Sequence, residues 1–149
     1  MCSKGKAADK AEAYASARRY YARAAELGNT DAMVYLGALY DDGKGGAQDY
    51  TRARAWFRKA AERGDPFGMT NLAMAYEEGK GGARDCAQAR AWFQKAAEAG
   101  GVAAMYSVGL LYKNGKGGAR DNELARTWLQ KAADAGHPFA RQRLLELKE

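Results

Sequence analysis

LGALYDDGKGGAQDYTRARAWFRKAAERGD, residues 36–65, is followed by two near copies: LAMAYEEGKGGARDCAQARAWFQKAAEAGG at 72–101 and VGLLYKNGKGGARDNELARTWLQKAADAGH at 108–137. The step is 36 residues, with no insertion between copies. Gly28, Gly64, Gly100 and Gly136 keep it, as do Met33, Met69 and Met105, Tyr40, Tyr76 and Tyr112, and Asp49, Asp85 and Asp121. Trp56, Trp92 and Trp128 form another series, with Tyr20 in its first place. Self-similarity at a period of this size marks a stack of supersecondary units, none of which can bury its apolar face alone.

Each period turns helical twice. In residues 31–42, Met33, Leu36, Gly37 and Tyr40 fall at the spacing of one helix face, which predicts a helix A. In residues 50–63, Ala53, Trp56, Phe57, Ala60 and Ala61 do the same and predict a helix B. The aspartate series stands just before helix B, where a carboxylate accepts from the orphan N–H groups of the first turn. The glycine series ends helix B, because glycine enters the left-handed cap conformation without steric cost. Asp65-Pro66 and His137-Pro138 read as an N-cap followed by proline at the first helical position. The Gly-Lys-Gly-Gly connector between A and B is permissive and is expected on the surface.

Gly37, Ala73 and Gly109 share one place on helix A and should admit a close partner helix, with the tryptophan opposite filling the space beyond. Trp92→Ala should then cost on the order of 3–5 kcal/mol. The chain reads as an all-α solenoid forming a single domain over residues 1–149. A half repeat at about 7–28 precedes full repeats at 29–64, 65–100 and 101–136, and a capping helix occupies 137–149. In that cap Arg141 replaces the methionine and Lys148 the tyrosine, which suits a face turned to water.

Composition narrows the function. The net charge is +6, from 24 Lys and Arg against 18 Asp and Glu, a mild excess that speaks to association rather than to fold. One histidine, His137, and two distant cysteines, Cys2 and Cys86, offer neither a zinc ligand set nor a disulfide framework. Gly-Lys-Gly-Gly resembles a phosphate loop only superficially, since it follows a helix and lacks the hydroxyl residue after lysine. No nucleophile–base pair stands out. We therefore expect no enzyme, no cofactor and no metal.

The pattern Ala32-x-x-x-Leu36-Gly37-x-x-Tyr40-x-x-Gly43-x-Gly45, then Asp49-x-x-x-Ala53-x-x-Trp56-x-x-Lys59-Ala60-Ala61-x-x-Gly64, resembles the Sel1-like repeat. That family is related to the tetratricopeptide repeat and has a longer loop inside the hairpin. The match runs from Ala13 to Leu147. Gly46-Ala47 stands where the family often has valine and proline. The resemblance implies an adaptor or binding role in a right-handed superhelix lined inside by the A helices. Family members include bacterial envelope proteins and immunity proteins that neutralise secreted phospholipase effectors.

By analogy with tetratricopeptide grooves, helix A residues that vary between repeats and lie off the core face should read a partner protein. These are Asp31, Val34, Ala38, Asp41 and Asp42 in the first repeat, and Phe67, Thr70, Met74, Glu77 and Glu78 in the second. Ala103, Tyr106, Leu110, Lys113 and Asn114 follow in the third, with Phe139, Gln142 and Glu146 in the cap. The four acids Asp41, Asp42, Glu77 and Glu78 would favour a basic segment, or serve only as solvated helix ends. Arg18, Arg54, Arg90 and Arg126 form a column on helix B, with Arg19, Arg52 and Arg58 nearby. The column reads as a solvated convex back, or alternatively as a second interface for an acidic protein or anionic lipid. Nucleic acid is disfavoured and would bind weakly through that column. Cys2 reads either as an incidental residue or as the lipid-bearing first residue of a mature periplasmic lipoprotein, the one route to a membrane. The expected function is a non-enzymatic protein-binding module, read more sharply as an envelope immunity protein and more blandly as a signalling or assembly adaptor.

Overall fold

The computed structural model describes residues 2–147, with side chains described from Ala7 onward. Among the described residues all regular structure is helical. Helix α1 spans Cys2–Glu26, α2 Thr30–Asp42, α3 Tyr50–Glu62, α4 Pro66–Glu78, α5 Cys86–Glu98, α6 Val102–Asn114, α7 Asn122–Asp134 and α8 Ala140–Glu146. The A helices are α2, α4, α6 and α8; the B helices are α1, α3, α5 and α7. Each helix packs on its neighbours in sequence, and α2 also touches α4 directly, which puts these two A helices on the tighter, inner side of the stack.

The local chemistry matches the sequence pattern. Asp49, Asp85 and Asp121 accept from the backbone N–H of Arg52, Gln88 and Leu124. Gly28, Gly64, Gly100 and Gly136 take φ of 96°, 88°, 96° and 92°, the left-handed region that turns the chain out of helix B. Asp65 caps α4 through Gly68 N–H, with Pro66 in its first turn. The last helix starts later than expected. His137 Nδ1 accepts from Phe139 N–H at 3.3 Å, but α8 begins only at Ala140. Lys148 lies outside the described residues.

The core is mostly alanine and leucine, with Ala53, Ala60, Leu72, Ala89, Ala96, Val108, Leu129 and Ala132 almost wholly buried. Small residues on both helices let backbones approach closely. The residue opposite the helix A glycine is not the tryptophan. A Cβ on Gly37 would stand 2.5 Å from Phe57 Cε1, and one on Gly109 would stand 2.6 Å from Leu129 Cγ. Phe57 and Phe93 are buried, whereas Trp56 and Trp92 are half-buried, with Lys59 and Lys95 lying 4.3 and 4.4 Å above their rings. Trp56 and Trp92 sit at the rim of the core with Phe57 and Phe93 at its centre, while Trp128 is buried beside Leu129.

The arginine column is not a solvated back. Arg54 and Arg90 are each only 8% exposed. Arg54 Nη2 donates to the carbonyls of Ala75 and Ala83, at 2.8 and 3.2 Å, and its guanidinium lies 4.4 Å from the Tyr76 ring centre. Arg90 repeats this with Ala119 O at 2.8 Å and Tyr112 at 3.7 Å. Arg18, half-buried, does the same with Leu39, Lys44 and Ala47 carbonyls and with Tyr40. Each guanidinium thus ties helix B of one repeat to the A–B connector of the next. The connector is wedged as well as exposed. A Cβ on Gly81 or Gly117 would collide with the carbonyl of Tyr50 or Cys86 on the preceding helix B. The column is correctly read as a set of internal ties, and neither the solvated face nor the anion-binding surface describes Arg54 or Arg90. Arg126, at the end of the series, is exposed and reaches only Leu147 O, at 3.4 Å.

Candidate protein-interaction face

Helix A buries its Leu36, Leu72 and Val108 edge against helix B. The opposite edge is therefore left facing the inside of the curve. Three large apolar side chains stand exposed there: Tyr35 on α2, at 56%, and Phe67 and Met74 on α4, at 71% and 43%. A soluble surface leaves single apolar residues exposed without consequence, but a run of them on adjacent helices marks a contact surface.

The expected residues fall into two groups. Val34 and Phe67 meet across α2 and α4, lining a depression of about 310 Å³ with Asp31, Tyr35 and Asn71. Phe67 and Thr70 also line a second depression of about 240 Å³, toward Val102 and Ala103. Thr70 turns its hydroxyl back to Pro66 O at 2.9 Å. Further along, Asp41, Met74 and Glu78 surround a small hollow with Lys80. Glu77 and Leu110 meet in another with Ser107 and Asn114.

The second group is engaged by the terminal helix. Tyr106 stacks on His137 at 4.1 Å, and its hydroxyl accepts from Arg143 Nε at 3.3 Å. Lys113 pairs with Glu146 at 2.9 Å, and Phe139 stands exposed with its ring edge toward His137. Tyr106 and Lys113 help to hold α8 in place. Cys2 opens α1, but its side chain lies outside the described residues.

Charge along this face is uneven. Helices α2 and α4 carry Asp31, Asp41, Asp42, Glu77 and Glu78 and no lysine or arginine. Connector lysines answer some of them: Lys44 pairs with Asp42 at 3.2 Å, and Lys80 with Glu78 at 2.8 Å and Asp41 at 3.8 Å. Burial raises the Asp41 carboxyl pKa, Lys80 offsets part of that, and the neighbouring Asp42 and Glu78 charges add to the rise. Lys80 is held protonated above its ordinary range by its hydrogen bond to Glu78.

Tyr35 belongs to this face and was missed by the sequence reading. It shares its place with Asn71 and Ser107, so it varies from repeat to repeat as the chosen positions do. The template followed i, i+3, i+7 and i+10 and passed over it by one residue. Its ring lies 5.2 Å from Tyr21 of α1, an approach between helices that no repeat pattern encodes.

The Sel1 repeat model matches residues 2–29, 30–65, 66–101 and 102–137. The chain belongs to the Sel1 repeat family. Sel1 proteins are generally protein–protein interaction modules and are typically non-enzymatic scaffolds. A protective antigen of uropathogenic Escherichia coli displaying an SLR fold superposes with a TM-score of 0.87 at 36% identity, over 90% of this chain and 29% of that one. A Sel1 repeat protein from Oxalobacter formigenes gives 0.75 at 33% identity, over 78% of this chain and 46% of that one. Cysteine-rich protein B of Helicobacter pylori shares the fold, with a TM-score of 0.71 at 23% identity, over 90% and 96% of the two chains. No curated protein matches the chain. This Sel1 chain therefore spans less than half the length of the first two structural neighbours.

Proposed function

We propose that this Sel1 chain holds a segment of a partner protein on the inner, A-helix face, with Val34, Tyr35, Phe67, Thr70 and Met74 as apolar contacts. Asp41, Asp42, Glu77 and Glu78 form the polar rim, and Leu110 extends the apolar strip. Tyr106, Lys113 and Phe139 frame its far end, where α8 closes the stack. The observation that carries this reading is the exposure of Tyr35, Phe67 and Met74 on adjacent A helices. Apolar anchors within a polar rim supply most of the energy in such interfaces.

Within that role, we read the protein as an envelope immunity protein that neutralises an effector. This finer reading rests on the resemblance of the repeats to family members with that role, and a signalling or assembly adaptor is the alternative.

Phe67→Glu and Met74→Glu place charge on exposed positions and should leave the far-UV helical spectrum unchanged. Calorimetry with the captured partner should show binding weakened by at least about tenfold for each. Full affinity in both folded variants would refute the assignment of this face. Protection of cells from a co-expressed toxic effector separates the immunity role from a general adaptor.

A further inference from the structure

The depression between α2 and α4 joins an apolar wall to a carboxylate that has no ion-pair partner among the described residues. Val34, Tyr35 and Phe67 form the wall, and Asp31 stands at its edge. Asp42, Asp41 and Glu78 are answered by Lys44 and Lys80; Asp31 and Glu77 are not. The five acids of α2 and α4 lie in a chain whose net charge is +6, so the rest of the molecule carries +11. With Lys44 and Lys80 counted beside them, the inner face of the first two repeats still carries a formal −3 on a basic protein.

We propose that the partner segment is basic and apolar: a large apolar side chain enters the depression against Tyr35 and Phe67, and an adjacent lysine or arginine meets Asp31. This rests on the inner face being the binding face. The long-range field of the molecule repels a basic peptide, so any preference for one must come from the local strip. The aromatic wall suits a cationic neighbour as well, because the faces of Tyr35 and Phe67 are attractive to an ammonium or guanidinium group.

The test uses the full chain and a fluorescein-labelled peptide with a central tryptophan flanked by lysines. Two control peptides carry glutamate in place of lysine, or alanine in place of tryptophan. Anisotropy should show the lysine–tryptophan peptide binding about tenfold or more tighter than either control. Asp31→Asn and Phe67→Ala change exposed side chains and should each weaken it severalfold while keeping the helical spectrum. Equal binding of the glutamate peptide, or undiminished binding by Phe67→Ala, overturns the proposal. If Phe67→Glu still abolishes capture of the native partner while the peptides show no charge preference, the inner-face reading stands and the basic-segment inference falls. If Phe67→Glu leaves capture intact, the inner-face reading itself falls.

Discussion

At the scale of single residues, the arginine of helix B is the most informative side chain in the repeat. Arg90 combines a hydrogen bond to Ala119 O with a guanidinium–ring contact to Tyr112 in a site that excludes water. A charged hydrogen bond and a desolvated cation–π contact are each worth roughly 1.5–3 and up to about 2 kcal/mol. Arg90→Ala should therefore destabilise the fold by about 2–4 kcal/mol in urea titration. Arg90→Lys should recover little of it, because an ammonium cannot reproduce the planar fork that lies on the ring and reaches the loop. Phe93 and Trp92 form a second pair to compare. Phe93 is buried at the centre of the helix A–B contact, and Trp92 is half-buried under Lys95. Phe93→Ala should cost about 3–5 kcal/mol, and Trp92→Ala less despite its larger side chain. The reverse order would show that the tryptophan, not the phenylalanine, carries the interface.

At the scale of elements, α8 is the weakest-held helix. It is short, and polar contacts help hold it: Glu146 with Lys113 and Arg143, and Arg143 with Tyr106. Hydrogen bonds from Lys113, then from Arg143, keep the Glu146 carboxyl ionised below its ordinary range. A carboxylate whose pKa is lower in the folded state stabilises that state above its unfolded value, and the benefit vanishes as pH falls through the folded value. Protection of the amides in residues 140–146, taken relative to intrinsic exchange at each pH, should therefore fall as the pH drops below the ordinary glutamate range, ahead of α3 and α5. Glu146→Gln should show the lowered protection already at neutral pH. Exchange in α8 that ignores both changes would show that Leu144 and Ala140 hold it alone. Helix starts behave more simply: Asp121→Ala removes the acceptor for Glu123 and Leu124 N–H and should cost about 1 kcal/mol by urea titration.

At the scale of the whole molecule, stability is carried by contacts between neighbouring repeats rather than by one central core. Arg18, Arg54 and Arg90 are the ties that cross each junction and fix the connector of the next repeat. Arg54→Ala cuts the tie in the middle of the stack. It should broaden the urea transition and lower its apparent m value, as the two halves begin to unfold separately. A transition that shifts to lower urea with unchanged steepness would mean that α3–α4 packing alone couples the halves. The same stacking leaves the inner edges of α2 and α4 free, which is why Tyr35, Phe67 and Met74 remain exposed in a well-packed protein.

The sequence by itself determined the repeat, its helices and most of their caps. All of these follow from short-range spacing: a 36-residue step, two helical faces within it, and aspartate, glycine and proline at the joints. It also placed Phe67 and Met74 on the open edge, since residues that vary within a fixed frame are those the frame does not need. Only the tertiary structure decided how side chains are spent between repeats. Arg54 and Arg90 stand three and seven residues before Phe57 and Ala61, and before Phe93 and Ala97, on the flank of the apolar face, and only the fold shows that the next connector covers them. Tyr106 and Lys113 look free until α8 returns to meet them, and Tyr35 gains its place from Tyr21, on a helix of the preceding half repeat. Periodicity reports which face a residue is on, and contact between successive units decides whether that face meets water.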